Sequence, residues 1–421
     1  MNLLKTSILN GVAVLVKTAT MFILNKVLAV YVGPSGYAAI GQFQNFIQMI
    51  TTFAGSAINN AVIKYTAEFY EDENRQRSIW RSAGSIILLF SLLFTFLILI
   101  FQKQLSLYIF QDAKYQSVFV WFAIFLVFFN FNALFLAILN GKKEILKFIF
   151  ANIAGSIFSL IITTILAIKY HLYGALIALS IYQSITFLVT LFLCYKADWF
   201  KLTYLFGKID KDITKKFAEF ALMALISALC IPLSQIFIRS YITHEFGLNY
   251  AGYWEAMVRL SAAYLMLVTT TLSVYYLPRL SELVLLKDIK KEIYLGYKFI
   301  FPLAVVSGFV IYILRDWIIN ILFSSSFLPM KELFLWQMIG DSLKIGSWLI
   351  AYLMLSKAMT KLFISTEIIF TITLVILTYL CTKFLGFKGV SIAYLINYAI
   401  YWITMSLIIF KQLEEKELNY E

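Results

Sequence analysis

Residues 8–32 read ILNGVAVLVKTATMFILNKVLAVYV, with Lys17 at the middle of the run and Lys26 nearer its far end. About 20 apolar residues cross a hydrocarbon core of ~30 Å as a helix, so this stretch is long enough to span a membrane. A lysine at bilayer depth is penalised by about 2.5–3.5 kcal/mol on insertion scales and persists where it faces a bundle interior or a wet cavity. Polar residues interrupt the run and no Ala-x-Ala site follows it, which points to a retained first span and not to a cleaved signal.

The remainder of the chain has the same character. Of its 421 residues 61% are hydrophobic and only 14% are charged, outside the range of soluble globular domains. A window of span length gives twelve stretches, near 8–32, 37–62, 79–101, 117–140, 145–168, 174–195, 217–241, 252–277, 299–314, 331–355, 362–382 and 389–410. Basic residues orient such a set. Loops on the side of the N-terminus hold 23 of them and the opposite loops seven, which places both termini in the cytoplasm. Trp80, Trp199, Trp254, Trp317, Trp336 and Trp402 fall near span ends, where an aromatic belt is expected.

The same distribution excludes other classes. The net charge of +12 lies mostly in alternate short loops, so it reads as topology and not as a nucleic-acid surface. Three cysteines within spans and two isolated histidines, His171 and His244, form neither a disulfide framework nor a metal set. No G-x-x-x-x-G-K-[ST] loop occurs, so any energy source is an ion gradient or the cargo itself. No cofactor is expected beyond possible coupling to protons or sodium.

Laying the second half on the first with a shift of roughly 215 residues aligns several anchors in order. Lys26 falls near Arg239, Gly36-Tyr37 on Gly252-Tyr253, and Lys64 on Arg279. Six spans per half is an even number, which gives the halves one orientation. The expected fold is an all-α integral membrane protein of 12 transmembrane helices. Two six-helix lobes, residues 1–207 and 208–421, would be related by a pseudo-two-fold axis along the membrane normal, with a central cavity.

Polar residues inside the spans are the candidate site. Asn10 and Lys17 share a helix face, while Lys26 points the opposite way and is either cavity-facing or snorkelled to the interface. Gln42, Asn45, Gln48, Thr52, Ser56, Asn59 and Asn60 form one stripe on the second span, read as the lining of a wet cavity or as hydrogen-bonded packing. Glu255 and Arg259 stand at i, i+4 on the eighth span, a structural pair or a gate, with Thr269, Thr270 and Ser273 continuing the face. The tenth span carries Asp341, Lys344 and Trp348, where Lys344 is positioned for a cation–π contact and either pairs with Asp341 or meets anionic cargo. Arg239 and Glu367 complete the set of span charges. Lys17, Lys26, Gln42, Asn45, Asn59, Arg239, Arg259, Lys344 and Trp348 are thus candidates for cargo, and Glu255, Asp341 and Glu367 for ion coupling or gating. Five basic groups against three acids favour an anionic, phosphate-bearing cargo over an organic cation.

Several patches resemble a known family. Leu15-Val-Lys-Thr, Asn25-Lys-Val-Leu-Ala-Val and Gly33-Pro-Ser-Gly, then Tyr275-Tyr-Leu-Pro-Arg-Leu-Ser and Trp336-Gln-Met-Ile-Gly-Asp-Ser-Leu-Lys-Ile-Gly, resemble the Wzx flippases of O-antigen and enterobacterial common antigen synthesis. The resemblance implies the fold of the multidrug, oligosaccharidyl-lipid and polysaccharide exporter superfamily and residence in the bacterial inner membrane. It implies a flippase, not an enzyme, that turns an undecaprenyl-diphosphate-linked oligosaccharide from the cytoplasmic to the periplasmic leaflet by alternating access. Membrane lipids, an O-antigen polymerase and a chain-length regulator would be its partners, with no nucleic acid. A drug or cation antiporter of the same superfamily, whose cavity should be rich in acids, and a non-transporting scaffold of a polysaccharide assembly complex are the alternatives.

Overall fold

The computed structural model describes residues 3–418 except 284 and 358, without the side chains of 3–11, 216, 219, 220, 223, 224, 267, 270, 271, 273, 274, 277, 278 and 412–418. Every regular element is helical, because lipid offers backbone groups no partner and a helix satisfies them internally. In order these are α1 (Leu3–Tyr31), α2 (Gly33–Phe53), α3 (Asn59–Glu68), α4 (Glu73–Phe110), α5 (Gln116–Gly141), α6 (Ile145–Tyr195) and α7 (Lys211–Phe246). They continue as α8 (Leu248–Thr271), α9 (Leu277–Glu282), α10 (Leu286–Ile313), α11 (Arg315–Leu322), α12 (Lys331–Ser356), α13 (Thr360–Leu385) and α14 (Gly389–Leu418). The chain divides into two compact units, Met1–Pro232 and Leu233–Glu421, inside α7. Pro232 lies within that helix, where it removes one backbone hydrogen bond.

The expected twelve spans in two six-helix lobes require correction. Among the described residues eight helices are long and apolar enough to cross a membrane, or up to nine if the bent pair Gly33–Phe53 and Ser56–Glu68 is one span. A hydropathy window separates 145–168 from 174–195 and 362–382 from 389–410, whereas by length and composition Ile145–Tyr195 and Thr360–Lys411 each count as one apolar stretch, the first kinked at His171 and the second turning at Gly386. The window also admits 252–277, where α8 carries Glu255 and Arg259 and gives way to a π-helical turn over Leu272–Tyr276. Local apolarity is what such a window measures, whereas helix length and charge also enter the count. The fold class is an all-α, multi-span membrane protein.

In the first unit α2 stops short of its apolar run. Gly55 takes φ 126°, α3 starts after a single 3-10 turn, and the two segments meet at a 68° bend. A Cβ at Gly55 would fall 2.6 Å from Ile87 Cγ1, so only glycine allows both this backbone and this approach. The break frees the Ala54 carbonyl, which accepts from Ser91 Oγ at 3.2 Å and Asn130 Nδ2 at 3.4 Å. Asn130 also donates to Ser91 Oγ at 2.9 Å, so two helices jointly cap the break. Farther along, Asn132 donates to Gln183 at 2.6 Å and accepts from Thr190 at 2.9 Å, tying α5 to α6. α6 is itself kinked at His171 (φ 50°, ψ −129°), whose Nδ1 donates to the Tyr31 carbonyl at 3.1 Å and so covers an open carbonyl at the end of α1.

One end of this unit is finished by Gln76, which donates to the Thr66 carbonyl and accepts from the Lys142 ammonium at 3.0 Å. Burial holds that ammonium below the usual lysine range, opposed by the nearby carboxylates of Glu73 and Glu144. Trp80 is buried there and donates to Thr66 Oγ1 at 3.0 Å, so it serves the core and not an interfacial belt.

In the second unit tyrosines bind helix carbonyls that already accept an intrahelical bond. Tyr264 donates to Ala304 at 2.6 Å, Tyr276 to Leu349 at 3.0 Å and Tyr297 to Gly346 at 2.7 Å. Each buries a large ring and still satisfies its hydroxyl, as an apolar interior demands. These contacts fix α8 and α10 against each other and α10 against α12, the helix on which the charged residues converge.

Candidate functional site

The second unit holds two polar clusters on either side of α8. Arg259 and Ser261 are two residues apart, so at about 100° per residue they point to nearly opposite sides of that helix.

Towards α7, the Arg239 guanidinium pairs with Glu255 Oε2, and Arg259 Nε donates to Glu255 Oε1 at 2.8 Å. Arg239 is 1% exposed and Glu255 4%. The Arg239 guanidinium also lies 5.3 Å from the centre of the Trp254 ring. One carboxylate thus serves two guanidiniums, and the cluster carries a net charge of +1 by its formal charges. The i, i+4 pair expected of Glu255 and Arg259 is present, and Arg239, sixteen residues upstream of Glu255, joins it.

Towards α12, Asp341 is fully buried. Its Oδ1 accepts from Ser261 Oγ at 2.7 Å, Tyr394 Oη at 2.9 Å and Gln337 Nε2 at 3.3 Å. Ser391 Oγ in turn donates to Gln337 Oε1 at 3.2 Å. Asp341 Oδ2 is buried and has no hydrogen-bond partner among the described residues. A carboxylate with one crowded and one bare oxygen is set to take a proton or a small cation on the bare side.

Lys344, one turn further along α12, makes no ion pair with Asp341 among the described residues. Its ammonium sits 5.2 Å from the Trp348 ring, 5.4 Å from Tyr394 and 4.8 Å from Tyr398. The cation–π contact expected with Trp348 is therefore one wall of a three-ring cage. Tyr394 joins the two groups, since its hydroxyl binds Asp341 while its ring faces Lys344. Gly340 makes room for it: a Cβ there would meet the Tyr394 ring at 2.6 Å. Glu367 on α13 is half-buried and within electrostatic reach of Lys344.

The remaining candidates stand in the first unit. Lys17 is exposed on α1, and no hydrogen bond or ion pair reaches its ammonium among the described residues. Lys26 is half-buried on the same helix. The polar stripe of the second span is divided by the break at Gly55: Gln42 is half-buried, Asn45 buried and Gln48 exposed on α2, while Asn59 opens α3 with a buried Oδ1 that has no partner among the described residues. Asn10, Thr270 and Ser273 have side chains outside the described residues. No group of three or more His, Cys, Asp or Glu able to hold a metal occurs among the described residues.

Tyr394, Tyr398 and Ser261 are the site residues that sequence reasoning missed. The two tyrosines stand at i, i+4 on the last apolar stretch, a spacing that marks one face and could have been read. Ser261 carries no such signal.

Comparison with known proteins gives the family and the fold. The family model described as "Polysaccharide biosynthesis protein" matches residues 3–284. The lipid III flippase of Escherichia coli (strain K12) is 29% identical over 411 residues, which is 96% of this chain and 97% of the relative. The lipid III flippase of Shigella flexneri matches equally. Among solved structures, the lipid II flippase MurJ in an inward closed conformation superposes with a TM-score of 0.75 at 15% identity, covering 99% of this chain and 90% of that one. An inward-facing MATE family multidrug resistance transporter of the MOP superfamily gives 0.74 at 14% identity, covering 94% and 95%. The fold is that of these MOP superfamily transporters.

Proposed function

The chain belongs to the polysaccharide biosynthesis protein family, and on that premise we propose that it carries a lipid-linked oligosaccharide between the leaflets of the membrane by alternating access. It is a multi-pass membrane transporter and not an enzyme, by its relation to known transporters. The cargo we assign is an undecaprenyl-diphosphate-linked repeat unit of O-antigen or a related surface polysaccharide, turned from the inner to the outer leaflet of the bacterial inner membrane.

Lys344 is the observation that carries this reading. Its ammonium lies within an apolar helix and is held by rings, in a chain matched from end to end by lipid III flippases. Each aromatic face holds a cation by about 0.5–2 kcal/mol and leaves no buried charge behind when the cation moves, whereas breaking a buried ion pair strands its partner and costs about 3–5 kcal/mol. A diphosphate can therefore recruit Lys344 without dismantling the fold. The Arg239–Glu255–Arg259 cluster supplies further positive potential but is bound into the structure more firmly. Asp341 Oδ2 is the group we assign to a coupling proton or sodium ion, because its occupancy would change the field at the neighbouring ammonium. Gln42, Asn45 and Asn59 suit sugar hydroxyls, and Lys17 and Lys26 add positive charge on the first helix.

The test is leaflet exchange of a labelled polyprenyl-diphosphate oligosaccharide in proteoliposomes. The native protein exchanges the lipid, and Lys344→Met slows exchange by about tenfold or more, the equivalent of ~1.4 kcal/mol. Equal rates for the two proteins, or transport of organic cations in place of the lipid, would defeat the reading.

A further inference from the structure

The opposite face of α12 meets α10 in a feature that the transport reading does not use. A cleft of about 350 Å³ lies between the two helices, walled on α10 by Phe301, Val305 and Tyr312 and on α12 by Met338 and Ile339. The α10 residues recur at helical spacing, so the cleft is a straight slot along the helix axis. From Phe301 to Tyr312 it rises roughly 16 Å at about 1.5 Å per residue, close to half of a ~30 Å hydrocarbon core. The slot is therefore one leaflet deep.

Its lining is apolar apart from the hydroxyls of Tyr312 and Ser342. Ser342, which also borders it, donates its hydroxyl to the Met338 carbonyl at 2.9 Å. Gly308 leaves the gap between the helices, since a methyl there would lie 3.4 Å from Ser342 Oγ and 3.5 Å from the Met338 carbonyl. Val305 and Ile339 are exposed, so the slot opens outward.

Both ends of the slot carry a cation: exposed Lys298 stands one turn before Phe301, its ammonium 5.8 Å from the Phe299 ring, and Arg315 stands beyond Tyr312. Arg315 follows α10 directly; its guanidinium stacks 4.4 Å from the Tyr312 ring and donates to the Tyr312 carbonyl at 2.9 Å. No carboxylate pairs with it among the described residues, because the adjacent Asp316 is taken by Lys331. Trp317, exposed on α11, marks this level as the membrane–water interface, where tryptophan is enriched.

We propose that this slot is a binding site for an anionic membrane phospholipid, with one acyl chain between α10 and α12 and its phosphate on Arg315. A guanidinium suits phosphate because its donors form a planar fork. The slot's volume sits at the low end of the ~300–1,000 Å³ typical of small-ligand pockets, which suits one chain of ordinary length and not a long polyprenyl tail. The site is independent of the identity of the cargo.

Photo-crosslinking tests it. The full-length protein is reconstituted in bilayers containing a trace of phosphatidylglycerol with a diazirine on its acyl chain, and adducts are mapped by mass spectrometry. Adducts concentrate on 301–312 and 335–343. Arg315→Ala lowers their yield by about fivefold, as expected for loss of one charge-assisted contact. Gly308→Leu, which fills the slot, removes them, while Gly308→Ala and Val306→Leu melt like the native protein and keep most of the yield. Zwitterionic phosphatidylcholine carrying the same label gives fewer adducts there. Adducts spread over other spans, a map unchanged by Arg315→Ala and Gly308→Leu, or displacement of the lipid by equimolar polyprenyl phosphate would each overturn the assignment.

Discussion

The two units solve the same problem with different chemistry. Each must fix helices whose outer surfaces face lipid and whose packing cannot rely on the hydrophobic effect alone. The first does so with neutral groups: Asn130 and Ser91 cap the broken helix, and Asn132, Gln183 and Thr190 tie α5 to α6. The second uses charge. Every buried charged side chain among the described residues, namely Arg239, Glu255, Glu292 and Asp341, lies in it. Neutral amides satisfy one another and stay satisfied through small displacements, whereas a buried charge is strongly stabilised or strongly penalised by what stands beside it. A unit built around charges responds to an anion or a proton. A unit built around amides is better suited to hold its form.

Removing Glu255 should do the most damage. Glu255→Ala leaves Arg239 and Arg259 without their shared carboxylate, and breaking such a buried pair costs about 3–5 kcal/mol. The purified variant should show a sharply lowered thermal transition or fail to accumulate. Replacing Arg239 and Glu255 together by methionine should recover much of the loss, because apolar side chains of similar size often substitute for a buried pair without penalty. A single variant as stable as the native protein would remove the charged cluster from the comparison.

One hydroxyl on each side sharpens the contrast. Tyr394→Phe deletes the bond to Asp341 but keeps the ring beside Lys344, so it should cost about 1.5–3 kcal/mol, the range for hydrogen bonds to charged groups. Asn130→Ala deletes neutral bonds to Ala54 and Ser91 and should cost about 0.5–1.5 kcal/mol. Ser91 still caps the Ala54 carbonyl in that variant, which limits the loss. Equal costs in thermal unfolding would mean that Asp341 is already neutral and that the two interiors differ less than their residues suggest.

Sequence made the broad outline legible because helical period and hydropathy survive in any membrane helix. That is why an all-α, multi-span chain could be read directly, and why Glu255–Arg259 at i, i+4 and Lys344–Trp348 at i, i+4 were found as neighbours. Contacts between helices left no such trace. Arg239 reaches Glu255 from another helix, and Asp341 takes its partners from α8 and α14 while its close neighbour Lys344 turns to aromatic rings. The break at Gly55 was hidden for a related reason. Ala54-Gly55-Ser56 does not lower hydropathy enough to divide a span, and the cost of the break is met by Ser91 and Asn130, far away in sequence.

The smallest expected effect on stability belongs to Lys17, at the middle of the first apolar run. Lys17 is exposed and its ammonium has no partner among the described residues, so Lys17→Ala deletes no hydrogen bond or ion pair and should not lower the thermal transition. That neutrality makes it a clean probe. In the leaflet-exchange assay a fall in rate without a fall in stability would give Lys17 a part in moving anionic cargo, and would extend the work of positive charge into the unit otherwise held by amides. An unchanged rate would confine that work to the second unit, with Lys344 as its centre.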